Sequence, residues 1–142
     1  MSEGRLYDPP GNNAQYFYTT ALALAPNDQQ ATEGIEQLVS VYMQRTQTQM
    51  LQGNLEEAND WLNRSFQIAF YVRNSDIIEQ QQSLRGELFQ NQQKGIRLAE
   101  RDRQIGQQLE QAKQALDAGR LTSPIGDNAY DIYQSVLTLE PD

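Results

Sequence analysis

Apolar side chains recur every third or fourth residue along most of this chain. No segment alternates apolar and polar positions with β-branched enrichment, so the pattern predicts an all-α fold without strands. Gly11-Asn12-Asn13 reads as a turn and helix N-cap. Ala14, Phe17, Tyr18, Ala21, Leu22 and Leu24 follow at helical spacing, until Pro26 stops the helix. A second helix over 29–52 has Ala31, Ile35, Leu38, Val39, Tyr42, Met43, Thr46 and Met50 as its buried stripe. Asn27 and Gln30 form a capping-box pattern before it, and Gly53 ends it. Asn54 and Glu57 repeat the box and open a third helix with the stripe Leu55, Ala58, Trp61, Leu62, Ser65, Phe66, Ala69 and Phe70. So short a connection predicts an antiparallel helical hairpin. Asn74-Ser75-Asp76 caps a fourth segment, with Glu79 placed to complete a box from Asp76, and no proline follows before Pro124. Ile77, Leu84, Leu88, Leu98, Ile105, Leu109, Ala112 and Leu116 keep one heptad register, interrupted by Gln81, Asn91, Gly95 and Asp102. This fits one long helix around 76–117, roughly 60 Å at about 1.5 Å per residue, or two helices broken near Gly95. A last helix is predicted over 128–139.

A second pattern overlies the first. Residues 4–27 and 119–142 align without a gap at an offset of 115, with eleven identical pairs among 24: Gly4/Gly119, Arg5/Arg120, Leu6/Leu121, Pro9/Pro124, Gly11/Gly126, Asn13/Asn128, Ala14/Ala129, Tyr18/Tyr133, Leu22/Leu137, Leu24/Leu139 and Pro26/Pro141. Average composition gives roughly one or two such identities by chance. Self-similarity at a fixed spacing marks a repeat architecture. Both ends of the chain fall inside the repeated unit. That predicts a single repeat domain over 1–142, a piece of a longer membrane-bound or multidomain protein, with Met1 added for expression.

The repeated stretch and the hairpin together resemble the tetratricopeptide-repeat family. Gly53-Asn54-Leu55-Glu56-Glu57-Ala58, then Leu62, Ser65 and Ile68, is similar to the turn and second helix of that repeat. Ala14, Tyr18, Ala21 and Pro26 match the same second-helix pattern, as do Ala129, Tyr133, Val136 and Pro141. The chain departs from the pattern in three places: five-residue insertions at 7–11 and 122–126, Phe70 where proline is usual, and residues 76–97, which do not match. The resemblance implies antiparallel helical hairpins of tetratricopeptide type, part of an α-solenoid, in a protein-interaction or scaffold module. The long unit is also similar to tetratricopeptide-like regions of bacterial envelope and signalling proteins, which implies an envelope (periplasmic) setting. Peptide-binding members hold a partner's terminal carboxylate with Lys and Asn on the first helix of a pair. The matching positions here are Met43 and Gln47, so that lysine is absent. With Met50 they would give a neutral, adaptable groove for a protein or peptide partner; alternatively both Met side chains are core.

Composition narrows the chemistry. Hydrophobic residues make up 38% of the chain, which suits helices that each bury one stripe. The net charge of −8 argues against nucleic acid and anionic membrane surfaces, which need clustered Lys and Arg. No run is long and apolar enough for direct membrane insertion. With no Cys and no His, thiolate zinc sites and nucleophile–histidine catalysis are excluded. Asp8 and Asp127 lie in or beside the inserted loops, where turn and cap chemistry explains them; calcium needs about six to eight oxygens, which neither loop offers. Glu56 and Glu57 favour a helix N-terminus, and Glu100-Arg101-Asp102-Arg103 reads as a solvated face of local ion pairs. Trp61, Phe66, Phe70 and Tyr71 read as core rather than a ligand pocket, while Tyr16, Phe17 and Tyr18 cannot all share one face. The sequence therefore predicts no catalytic, cofactor-binding or metal residues. It predicts a non-enzymatic interaction module, with a structural spacer or homodimerisation element as the alternative. A homodimer is expected because the first and last helices each lack a neighbour.

Overall fold

The computed structural model describes residues 5–139. The described residues form five α-helices and no strand: α1 (Ala14–Leu24), α2 (Gln29–Leu51), α3 (Leu55–Ala69), α4 (Ser75–Asp117) and α5 (Ala129–Leu139). The segment 75–117 is thus one helix, and Gly95 does not break it. Gly4 and Pro141, two members of the repeat alignment, lie outside the described residues. Contacts divide the chain into two units, Met1–Gln92 and Gln93–Asp142, where the sequence pattern suggests one repeat domain.

In the first unit, α2 and α3 pack on each other across the three-residue connection 52–54, and α1 lies on α2. Their core holds Ile35, Leu38, Val39, Tyr42, Ala58, Leu62 and Ile68, all essentially without solvent contact. Ile77, Leu84 and Leu88 of α4 belong to the same core. Thr46 and Ala58 are both fully buried. The Thr46 hydroxyl donates to the Tyr42 carbonyl at 2.9 Å, so its polar atom costs little inside. Gln81, which looks like a flaw in the heptad seam, is buried. Its amide donates to Ser65 Oγ at 3.0 Å, while the Ser65 hydroxyl donates to the Leu62 carbonyl at 2.7 Å. A polar residue sits in the seam there because α3 offers it a partner.

Several expected details differ. α2 is capped by Asp28, whose Oδ1 accepts from Ala31 N–H at 2.7 Å; Asn27 and Gln30 form no box. A carboxylate at this position also answers the positive end of the helix. Asn54 precedes α3 but makes no side-chain cap; its Nδ2 donates to Gln49 Oε1 at 2.8 Å. α4 is capped within the expected 74–76 stretch, by Asn74, which accepts from the N–H groups of Asp76 and Ile77 at 3.1 and 3.3 Å; it is Asp76 that does not open a box. Phe70, assigned to the buried stripe of α3, is 85% exposed, and Val72, just past the helix, is buried in its stead. Phe17 and Leu24, at helical spacing on α1, are exposed as well.

In the second unit the buried apolar residues are Ala112, Ala115, Ala129 and Val136, all but the last alanine. Leu98, Leu109 and Leu116 keep the heptad register yet are exposed. Periodicity marks a face, but only a packed neighbour buries it.

The internal repeat returns as one backbone device built twice. Asn13 and Asn128 each accept on Oδ1 from the backbone N–H three residues on, at 2.8 and 2.9 Å. Each donates from Nδ2 to the loop proline carbonyl, Pro9 at 2.9 Å and Pro124 at 2.8 Å. Ala14 N–H bonds to the Arg5 carbonyl at 2.9 Å, as Ala129 does to Arg120 at 2.8 Å. Gln15 bonds to Leu6, and Tyr130 to Leu121, both at 3.0 Å. Gly11 and Gly126 take φ of 76° and 82°, a region open to glycine at little cost, which lets each loop turn into its cap. Asp8-Pro9 and Ser123-Pro124 are both cis.

Candidate functional site

A groove of about 340 Å³ runs between α2 and the start of α4 in the first unit. Ser40, Met43, Gln44 and Gln47 line it from α2, and Gln80, Ser83, Leu84 and Glu87 from α4. Met43 and Leu84 are largely buried and give it an apolar base; the amides, hydroxyls and one carboxylate stand around them. Two of the three residues assigned to a partner groove, Met43 and Gln47, are thus brought together. Met50 is not among the lining residues; it is half-buried against the core. The α4 contribution was missed from sequence because residues 76–97 match no repeat pattern. The signal for it was Leu84, with polar Gln80 and Ser83 beside it on the same helix.

Within the core, Trp61 is the centre of an aromatic and arginine cluster. Tyr7, from the inserted loop, meets it edge-on at 5.4 Å, and Tyr42 lies 5.6 Å away. The Arg64 guanidinium sits 4.1 Å from the Tyr7 ring, and Arg45 4.7 Å from Trp61. Such contacts stabilise through the negative ring faces, and here they fasten the first loop to α2 and α3. Tyr42 donates to Gln15 Oε1 of α1 at 3.0 Å. Burial pushes its hydroxyl up to about 12; the Arg64 and Arg45 charges act in the opposite sense and Tyr7 in the same one. Trp61 is core, as its spacing suggested, whereas Phe70 and Tyr71 pair edge-on at 6.0 Å on the surface.

The acidic candidates keep to local roles. Glu56 and Glu57 lie in the first turn of α3, exposed. Asp127 pairs with Arg120 inside the second loop. Glu100 and Arg103 are 2.7 Å apart, and their hydrogen bond holds the Glu100 carboxyl below its usual range and raises Arg103. Among the described residues no cluster of three or more acidic side chains could hold a metal ion. Nor is any described helix long and apolar enough to cross a membrane.

Exposed apolar side chains occur along α4 and on both copies of the repeated element. Tyr16 and Phe17 are exposed on α1, and Leu121, Ile125, Tyr130, Tyr133 and Leu137 on the second loop and α5. Comparison with protein-family models, with curated proteins and with solved structures finds no match for this chain.

Proposed function

We propose that this chain is a non-enzymatic protein-interaction module of tetratricopeptide type, which binds a peptide segment of a partner in the groove between α2 and the start of α4. The observation that carries this reading is the convergence of Met43 and Gln47 with Gln80, Ser83, Leu84 and Glu87 around one groove. Met43 and Leu84 supply an adaptable apolar base. Gln44, Gln47 and Gln80 offer both donors and acceptors, which suits the amides of a peptide backbone. Glu87 and the net charge of −8 favour a neutral or basic segment over an acidic one.

Selection of a displayed peptide library on the intact chain tests this. The expected result is a set of peptides with affinities on the order of micromolar that lose at least about tenfold on Ser83→Trp, which fills the groove while leaving the thermal melt unchanged. Peptides that bind Ser83→Trp as well as the parent chain would place binding elsewhere and sink the reading.

A further inference from the structure

The two copies of the loop and helix present one surface twice, once covered and once bare. In the first copy Leu6 and Leu22 are 7% and 5% exposed, and Tyr18 is half-buried in the core formed with α2 and α3. Their counterparts Leu121, Leu137 and Tyr133 are 55%, 61% and 40% exposed. The corresponding cap, proline and carbonyl bonds hold both sets in the same local frame. The bare surface has nonetheless kept Leu, Leu and Tyr, where a face meant for water has no use for them.

The covered copy shows what fits. The Tyr18 ring lies against Gly34 of α2, so closely that a Cβ there would meet it at 2.4 Å. The complementary surface is therefore an apolar helix with bare backbone at one point, followed by a second helix that closes over the loop. We propose that Leu121, Tyr133 and Leu137 form a docking site for a helical hairpin of the α2–α3 kind, belonging to a further repeat unit. The site involves no residue of the groove and does not depend on what binds there. A hairpin taken from another copy of this chain is the poorer occupant. In a second copy that face of the hairpin is already taken by the copy's own first loop, with Tyr7 against Trp61 and Arg64.

A chain in which residue 142 is followed directly by residues 28–142 keeps the 115-residue register and presents such a hairpin to α5. Hydrogen exchange of the α5 amides reads the docking. The expected result is slowing on the order of tenfold or more relative to the 142-residue chain, towards the rates of α1. Gly34→Leu made only in the appended segment should abolish that slowing while α1 stays protected. Adding Tyr133→Ala, which clears the space the new side chain needs, should restore part of it. Unchanged α5 exchange in the extended chain overturns the proposal, as does protection that survives the appended Gly34→Leu. Protection of α5 that rises with concentration in the 142-residue chain alone overturns the choice of occupant in favour of a second copy.

Discussion

Residues 5–24 and 120–139 form the same loop and helix, with the same cap and the same backbone bonds, yet they stand in opposite relations to solvent. In the first, Leu22 is buried in a core shared with α2 and α3; in the second, Leu137 faces water. The local device is therefore self-sufficient. Asn, Pro and Gly at fixed offsets, with their own carbonyls, build it wherever they occur. Burial is not local. It depends on a neighbour that the first copy has and the second does not, so one sequence pattern reports conformation in both places and packing in only one.

The sharpest way to break this comparison is to shorten the same leucine in each copy. Leu22→Ala should cost about 2–5 kcal/mol in chemical denaturation, because a buried leucine leaves a cavity. Leu137→Ala should change stability by no more than about 0.5 kcal/mol, as exposed sites do. Equal losses would mean that Leu137 is packed in solution and that the two copies do not differ as described.

Alkaline pH separates the copies by another route. Tyr42, bonded to Gln15, keeps its proton in the folded chain up to about pH 12 and gives it up near pH 10 when unfolded. The stability it contributes is thus complete below pH 10 and is lost as pH rises through 12, a total of about 2–3 kcal/mol for a shift of this size. Tyr42→Phe forfeits the bond to Gln15 but has no proton to lose. The wild type should be the more stable protein below pH 10 and the less stable near pH 12, measured by denaturation across that range. The second copy has Tyr130 at the Gln15 position and makes no such link, so α5 should be indifferent to the substitution. Parallel curves for the two proteins would show that the hydroxyl is not held as described.

Substituting the caps asks the reverse question, whether the shared part is equally strong in both copies. Asn13→Ala and Asn128→Ala should each cost about 1–2 kcal/mol of local helix stability, read by exchange of the first-turn amides. Asn128 also donates to the Asp131 carboxylate at 2.7 Å, where Asn13 donates to the Tyr7 carbonyl at 2.8 Å. The second cap should therefore be at least as costly to lose as the first. A silent Asn128→Ala would show that α5 does not rely on the device.

The same division explains what could be read from the sequence. Four of the helices, the cap at Asn13, the stop at Gly53 and the all-α class follow from neighbours within a few residues and were legible, while the spacing left 76–117 open as one helix or two. Phe17 and Ile132 occupy the same repeat position, but Phe17 is exposed at 56% and Ile132 is half-buried, a difference no local pattern encodes. Gln81 was misjudged for the same reason: its amide becomes acceptable only because Ser65, sixteen residues away, meets it. In the groove, Met43 and Gln47 came from a repeat pattern, while Gln80, Ser83 and Glu87 needed the geometry of α4 against α2.

The smallest expected effect lies in a difference between the copies that is written in the sequence. Tyr7 and Thr122 occupy the same place in the repeated loop, but Tyr7 reaches Trp61 and lies under Arg64. An edge-on aromatic pair and a half-buried cation–π contact are each worth about 0.5–1.5 kcal/mol, and they share one ring, so they do not simply add. Tyr7→Thr, which makes the first loop like the second, should therefore cost about 0.5–1.5 kcal/mol, with the cap bonds of Asn13 intact. Thr122→Tyr should change almost nothing, since the second unit offers its ring neither a tryptophan nor a hairpin arginine. Denaturation midpoints of the two variants decide the matter. A stabilising Thr122→Tyr would mean that the second loop already meets a partner surface in the isolated chain. A silent Tyr7→Thr would mean that the first loop is held by its backbone bonds alone, and the two copies would then differ only in what lies over their leucines.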